Sequence, residues 1–391
     1  MLKLIYDPVA RGAPSQYGSA EDTLTDGAGS VLQRFRKADQ DFAAPDAPLS
    51  DAVRAWLAAR GPNAGPVIVL VHGYQYNPVS ADGLAHDTPF QLVYGVPPTP
   101  VASLSWLPLV GECSEVGAAL ADTAIGFAYR SEAPLGEVSR AGWTNSYQYA
   151  VFDLAPLAAR ALAALLSCLA EQGATVRVLA HSLGTRTFAQ AIRLLRARVP
   201  IPVERAVLLH GAEFSVDAGA AFRGCDFDVF NIANRKDAVL RIGASQLCHP
   251  MRANGSASAC VIGFDGLGGN PRWLDLQADR PDLVAWFAAG NAPGGRAYRL
   301  TSQAEDELHP AAGLDHWCCY TNAGNRELVR DLLLEPAMTV DQFRARHVPD
   351  GVGSPSYGQF ATFPIPPTPQ TMLERQRLLL EAGSFEVAGS G

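Results

Sequence analysis

The 391-residue chain has very little lysine and an excess of negative charge. Its 31 basic residues include only three lysines, and 39 acidic residues bring the formal net charge to −8 at pH 7. Nucleic-acid binding needs a basic face that neutralises phosphate, so this balance argues against a nucleic-acid partner. A basic membrane-surface anchor is disfavoured for the same reason.

Paired cysteines and long hydrophobic runs are also missing. The seven cysteines have no CxxC spacing, which disfavours a zinc ribbon and a complete disulfide framework. Residues 1–12 lack an apolar stretch of signal-peptide length, and the apolar segment 155–170 is interrupted by Arg160 and falls short of a membrane span. We therefore expect a cytoplasmic protein with reduced thiols, no stable membrane insertion, no metal and no cofactor; its oligomeric state is left open.

The hydrophobic content of 48% is enough for a large core. Short aliphatic runs typical of strands buried on both faces alternate with helical patterns. This alternation predicts a three-layer α/β fold with a mainly parallel central sheet. The expected strands lie at 67–71, 123–128, 176–180, 206–210 and 228–232, and the expected helices at 149–171, 185–198 and 322–334.

The segments outside this alternation are predicted to flank one catalytic domain, residues 65–340. Residues 1–64 are polar and turn-rich, and we expect an extension packed on the core, with helices near 29–37 and 51–60. Residues 245–291 are rich in Gly, Asn, Asp, Arg and Trp, and predict an insertion above the sheet that could act as a lid. Residues 341–391 form a C-terminal extension with a Pro-rich stretch, 363–369, and a short helix, 370–382.

Ser182 is the candidate nucleophile. Ala180-His-Ser-Leu-Gly184 lies between an expected strand and an expected helix, and small residues flank the serine as a tight strand-to-helix turn requires. The backbone N–H of Leu183 would then be one oxyanion donor. The alternative is a serine that caps an ordinary helix.

A second oxyanion donor is expected after the first core strand. His72-Gly73 follows the run Val67–Val71, and the glycine would let the chain approach a substrate. We assign this donor to the N–H of Tyr74; the alternative is a simple turn beside a core histidine.

A serine nucleophile needs a basic histidine and an acid that orients it. Asp237 follows the expected strand 228–232, and Glu213, after the preceding strand, is the fallback acid. His316 is the preferred base because it lies just before the last expected helix. His309 and His249 are the competing bases.

Aromatic residues are frequent in the segments expected around this site. They favour an apolar or aromatic acyl group, although any single one is more often a core or surface residue. The candidate substrate contacts are Tyr76, Trp106, Trp143 and Trp317.

These motifs resemble the α/β-hydrolase superfamily, and most closely a bacterial branch of largely unknown function with HGYN-like and AHSMG-like motifs. The resemblance covers residues 65–335 and rests on His72–Asn77, Ala180–Arg186 and Asp237–Leu240. It implies the same roles for Ser182, Asp237 and His316. His210-Gly-Ala-Glu213 departs from the Ala-Pro-Asp of that branch.

Three functions are consistent with these residues. The first is a serine hydrolase that cleaves a small-molecule carboxylic ester through an acyl-enzyme, as esterases and lipases do. The second is an acyltransferase or amidase with the same triad. The third is a non-catalytic α/β-hydrolase-like scaffold that binds a partner.

Overall fold

The structure is a computed structural model. It describes residues 1–7, 22–35, 44–61, 64–74, 76, 89–90, 93–94, 105–110, 124–131, 150–196, 198–237, 239–240, 261–302 and 315–349.

A nine-stranded, mostly parallel sheet forms the centre of the molecule. Its strand order is β3-β2-β1-β5-β4-β6-β7-β8-β9, and every pair is parallel except β1–β2 and β2–β3. The expected three-layer α/β architecture with a mainly parallel sheet is consistent with this arrangement. The strands are β1 (Leu2–Asp7), β2 (Asp22–Asp26), β3 (Val31–Phe35), β4 (Val67–Val71), β5 (Ala124–Tyr129), β6 (Val176–His181), β7 (Val203–Leu209), β8 (Asp228–Ala233) and β9 (Trp273–Gln277).

Helices cover both faces of the sheet, which explains why β4 is apolar at every position. In β4, Val67, Val69 and Val71 pack into one hydrophobic core, whereas Ile68 and Leu70 pack into the other. Successive side chains of a strand point to opposite faces, so a continuous aliphatic run is what two buried faces require.

The helices alternate with the parallel strands along the chain. They are α1 (Ala47–Arg60), α2 (Ala155–Glu171), α3 (Leu183–Leu195), α4 (Ser215–Phe222), α5 (Ile262–Asp265), α6 (Pro281–Ala288), α7 (Cys318–Thr321), α8 (Ala323–Leu334) and α9 (Val340–Ala345). Short 3-10 turns lie at Leu107–Val110 and Pro293–Gly295, and a π-helical turn, Ala150–Leu154, leads into α2.

The π-turn and α2 together form a 22-residue helical segment, Ala150–Glu171. Its bounds agree with the expected helix 149–171, and by length and composition it is the one helix among the described residues that could cross a membrane. In its most apolar window 78% of the residues are buried in the fold, which is typical of a core helix.

Two buried arginines attach α8 to the sheet. Arg177 of β6 donates to the carbonyl oxygens of Leu333 and Leu334, both at 2.7 Å. Arg205 of β7 donates at 2.8 Å to the carbonyl of Leu332. The last carbonyls of a helix have no partner within the helix, and positive charge at that end is favourable, so both contacts stabilise the end of α8.

Three expectations about the flanking segments are wrong. Residues 1–64 are more than an extension packed on the core, because β1, β2 and β3 belong to the central sheet. The helix expected at 29–37 is instead β3, which pairs with β2. The insertion expected above the sheet at 245–291 is wrong over residues 261–291, where β9 extends the sheet beside β8. Residues 241–260, and the Pro-rich stretch and helix of the C-terminal extension, lie outside the described residues.

The strand β9 was missed because it contains buried polar side chains. Asp275 is 1% exposed and accepts four hydrogen bonds: from Asn231 Nδ2 at 2.6 Å, Trp273 Nε1 at 2.8 Å, and the N–H groups of Leu267 at 3.0 Å and Gly268 at 2.9 Å. These donors compensate for the burial of the carboxylate. A pattern of apolar residues alone cannot reveal such a strand.

Two helical glycines give opposite predictions for stability. A Cβ on Gly324 of α8 would lie 2.0 Å from the carbonyl oxygen of Arg299, whereas a Cβ on Gly219 of α4 would meet nothing closer than Leu267 Cδ1 at 3.6 Å. Gly324→Ala should lower the free energy of unfolding by roughly 1–3 kcal/mol or more, because backbone atoms must move. Gly219→Ala should raise it by roughly 0.5–1 kcal/mol. Urea unfolding of both variants measures the free energy of unfolding. A change of the same sign and size in the two variants would contradict the prediction.

Candidate active site

Ser182 occupies a strained turn between β6 and α3. Its backbone has φ 51° and ψ −122°, a region that residues other than glycine rarely adopt. Three backbone hydrogen bonds hold the turn: the Ser182 N–H donates to the carbonyl of Leu209 at 2.9 Å, and the Ser182 carbonyl accepts from Thr185 at 3.0 Å and Ala212 at 2.9 Å. Its side chain therefore stands at the start of α3, and the residue is 6% exposed.

Two glycines allow the loop after β4 to lie directly against this turn. A Cβ on Gly73 would be 2.9 Å from Ser182 Cβ. A Cβ on Gly184 would be 2.3 Å from the carbonyl oxygen of His72 and 2.4 Å from that of Val71. Both positions exclude larger side chains, so Tyr74, the next residue in the loop, is held close to Ser182.

Asp237 and His316 contact each other as expected for an acid and a base. His316 Nδ1 lies 2.7 Å from Asp237 Oδ2, and the residues are 4% and 0% exposed. Burial alone would raise the pKa of the Asp237 carboxyl, but the neighbouring imidazoles of His316 and His210 outweigh burial and hold the pKa well below its usual range. A buried, ionised carboxylate on Nδ1 leaves Nε2 of His316 as the nitrogen that can accept a proton.

The topology of the sheet explains why these residues meet. The strands β4, β6, β7 and β8 are successive neighbours and run parallel, so their carboxyl ends lie along one edge. Gly73, Ser182, His210 and Asp237 each follow one of these ends. Open α/β sheets bind their ligands at this edge.

His210 is a member of the cluster that the sequence did not predict as a site residue. It is fully buried, and its Nδ1 lies 2.9 Å from Asp237 Oδ2, the atom that His316 also contacts. The sequence did place His210 at the end of the expected strand 206–210, and Asp237 follows the next expected strand. This position could have indicated that the two side chains meet.

Glu213, the fallback acid, contacts an arginine instead of a histidine. Arg186 Nη1 lies 2.5 Å from Glu213 Oε1, and the same oxygen accepts the N–H of Phe214 at 2.8 Å. Gln190 Nε2 donates to the other oxygen at 3.3 Å. Both oxygens are therefore occupied, and the structure brings Asp237, not Glu213, to His316.

Two further histidines are buried near the serine. His72 Nδ1 lies 2.9 Å from the carbonyl of Gly73 and Nε2 accepts the N–H of Tyr129 at 3.0 Å, which is the pattern of a neutral ring with its proton on Nδ1. Burial lowers the pKa of His72 to about 3 and that of His181 well below its ordinary value. His181 Nε2 lies 3.2 Å from the carbonyl of His316, so it supports the loop of the base.

The aromatic residues expected at the site have different positions. Trp106 is fully buried, 0% exposed, and packs on Tyr320 and His181, so it is a core residue and the expected substrate contact is wrong. Tyr76 packs on His72 with ring centroids 4.7 Å apart. Trp317 packs on His316 at 5.4 Å. Trp143 lies outside the described residues.

A different aromatic group lies beside the expected oxyanion donors. Tyr74, Phe152 and Phe214 are partly buried and pack against the hydrophobic cluster that contains Leu183. Phe152 and Phe214 are parallel, with centroids 6.4 Å apart, and the Arg186 guanidinium lies 5.6 and 5.5 Å from their centroids. Neither phenylalanine was predicted as a site residue, since nothing in the sequence ties them to the serine.

His210, Asp237 and His316 are also the residue types that bind metal ions, and one donor atom of each lies within 4.8 Å of the others. Both imidazoles, however, use Nδ1 to contact a single carboxylate oxygen at hydrogen-bond distances of 2.7 and 2.9 Å. A metal ion at this point would have to displace the protons from both Nδ1 atoms. The geometry therefore fits two hydrogen bonds to one carboxylate oxygen better than metal coordination.

The chain has no significant match among protein-family models, curated proteins or solved structures.

Because His72 is buried and neutral, we expect the protein to lose stability at acidic pH. Its pKa is about 3 in the fold and about 6.5 in an unfolded chain, so the unfolded state binds more protons between these values. The free energy of unfolding should therefore fall as pH falls from 6.5, by up to about 1.4 kcal/mol per unit from this residue. His72→Gln, whose amide oxygen can accept the Tyr129 N–H, should reduce this slope by about one proton. The exposed His347→Gln is the matched control, and equal slopes in the two variants would refute the prediction.

Proposed function

We propose that this chain is a serine hydrolase of the α/β-hydrolase type that cleaves carboxylic esters through an acyl-enzyme. The observation that carries the proposal is the strained Ser182 turn at the edge of the sheet where His316 and Asp237 form a 2.7 Å contact. A strained serine between a strand and a helix, with a buried acid–histidine pair from later loops, is typical of this chemistry.

In the proposed reaction the Ser182 hydroxyl attacks the ester carbonyl while His316 Nε2 accepts its proton. The Asp237 carboxylate stabilises the imidazolium that forms. His316 then gives the proton to the departing alcohol. Water attacks the acyl-enzyme with His316 again as the base, and the carboxylic acid leaves with Ser182 restored.

The oxyanion that forms in each step would be stabilised by the backbone N–H groups of Leu183 and Tyr74. Leu183 is the first residue of α3, where the helix dipole favours negative charge. Tyr74 follows Gly73, which lies against Ser182. Backbone donors fixed by close packing need no reorganisation during the reaction, which is why they are effective.

The proposed substrate carries an apolar or aromatic acyl group. The support for this is the partly buried group of Tyr74, Phe152 and Phe214, which packs on the same cluster as Leu183. Binding sites for apolar groups are lined mainly by aromatic and aliphatic side chains with few polar atoms.

The first test is hydrolysis of p-nitrophenyl esters from acetyl to palmitoyl, together with labelling by a fluorophosphonate probe. Ser182→Ala should abolish labelling and lower kcat by about 10⁴-fold or more. Ser302→Ala is the matched control, because this serine is similarly buried, 8% against 6% exposed. An unlabelled wild-type protein without activity on any ester would refute the proposal.

The two buried carboxylates provide a second test. Asp237→Asn should lower kcat by about 10³–10⁴-fold, because the imidazolium loses its counter-charge. Glu213→Gln should stay within about tenfold of wild type, because Glu213 contacts Arg186. The opposite ranking, on variants with wild-type circular dichroism, would identify Glu213 as the acid.

A product assay separates hydrolysis from acyl transfer by the same triad. With an alcohol or amine acceptor present, a hydrolase releases mainly free acid. A predominant acyl-acceptor product would instead identify a transferase.

A further inference from the structure

The carboxylate of Asp237 is held from three directions. Its Oδ2 contacts Nδ1 of both His316, at 2.7 Å, and His210, at 2.9 Å, while Oδ1 accepts the N–H of Leu240 at 3.0 Å. A triad needs only one of these imidazoles as the base. The triad chemistry therefore does not explain the contact of His210 with Asp237.

His210 is fixed in an unusual backbone conformation. Its φ is 45°, which is rare for a residue other than glycine. Its N–H donates to the carbonyl of Ile232 at 2.9 Å, and a Cβ on Gly263 would lie 2.3 Å from the His210 carbonyl carbon. Such strain persists only where the surrounding structure enforces it, so the direction of the His210 ring is part of the fold.

In the part of the chain that the structure describes, the titratable groups that face His210 are all buried: Asp237, His316, His181, Cys318 and Cys319. Cys318 Sγ lies 3.9 Å from His210 Nε2. Burial raises the pKa of both thiols, so they are neutral at pH 7. Burial opposes a positive charge on His210 as well, whereas the hydrogen bond to the Asp237 carboxylate favours it.

We propose that His210 is a positioning residue for the hydrolase reaction: its Nδ1 contact orients the Asp237 carboxylate toward His316. The proposal rests on the proposed function of Ser182 and concerns the orientation of Asp237, the acid of that site. His210 touches neither the substrate nor the serine in this role and acts through Asp237.

The two imidazoles lie close together around the carboxylate, with ring centroids 5.9 Å apart. Loss of the His210 contact would leave Asp237 Oδ2 with one imidazole donor instead of two, so the carboxylate would be free to turn away from His316.

Two variants separate orientation from packing. His210→Asn places an amide N–H near the position of Nδ1, and His210→Phe keeps a ring without any donor. With p-nitrophenyl acetate, His210→Asn should keep kcat within about threefold of wild type, whereas His210→Phe should lower kcat by about 10–100-fold with little change in KM. The exposed His347→Asn should change neither quantity.

Two results would overturn the proposal. A kcat in His210→Asn lowered by about tenfold or more would show that the Nδ1–H donor does not orient Asp237, and this variant decides the question even if His210→Phe does not fold. A wild-type kcat in a folded His210→Phe would show that His210 only packs.

Nitrogen-15 NMR of the histidine rings tests the contact without any turnover. In wild-type protein Nδ1 of His210 should carry a proton, and His210→Phe should shift the His316 Nδ1–H resonance. A His210 ring with an unprotonated Nδ1 would overturn the proposal, because the ring could then not donate to Asp237. An inert wild-type protein that still shows the His210 Nδ1–H would refute the proposed function while the contact to Asp237 stands.

Discussion

The buried negative charge of Asp237 is the interaction on which the arrangement of the site depends. A carboxylate without solvent is very unfavourable unless donors surround it, and its donors come from three different segments of the chain. Burial therefore forces the end of β7, the loop after β8 and the segment before α7 to converge. The position of His316 above the edge of the sheet is a consequence of satisfying this charge.

Much of this arrangement could be read from the sequence. The aliphatic runs indicated the central strands, since only residues buried on both faces are apolar at every position. Parallel strands place their carboxyl ends together, so an acid that follows one of these strands was expected to contact His316, with Asp237 preferred and Glu213 as the fallback. The activity that would follow from this contact remains a proposal.

The features that were missed depend on contacts between distant residues. The strand β9 carries Asp275 inward, and only the donors from Asn231, Trp273 and a glycine-rich turn make this burial tolerable. The strand β3 begins with the exposed Val31 and has an irregular register, which obscures its alternation. Glu213 and Asp237 are both acids that follow strands, and only the position of Arg186 distinguishes them.

The placement of β1 has a consequence for how the chain is made. The first strand pairs with β5, more than a hundred residues later, and β2 and β3 are attached to the sheet only through β1. During synthesis these three strands cannot pair with the rest of the sheet until β5 has been made. Proteolysis that removed them would leave β5 as an apolar, unpaired edge, a template for aggregation. The N-terminal strands thus protect the edge of β5 from pairing with another chain.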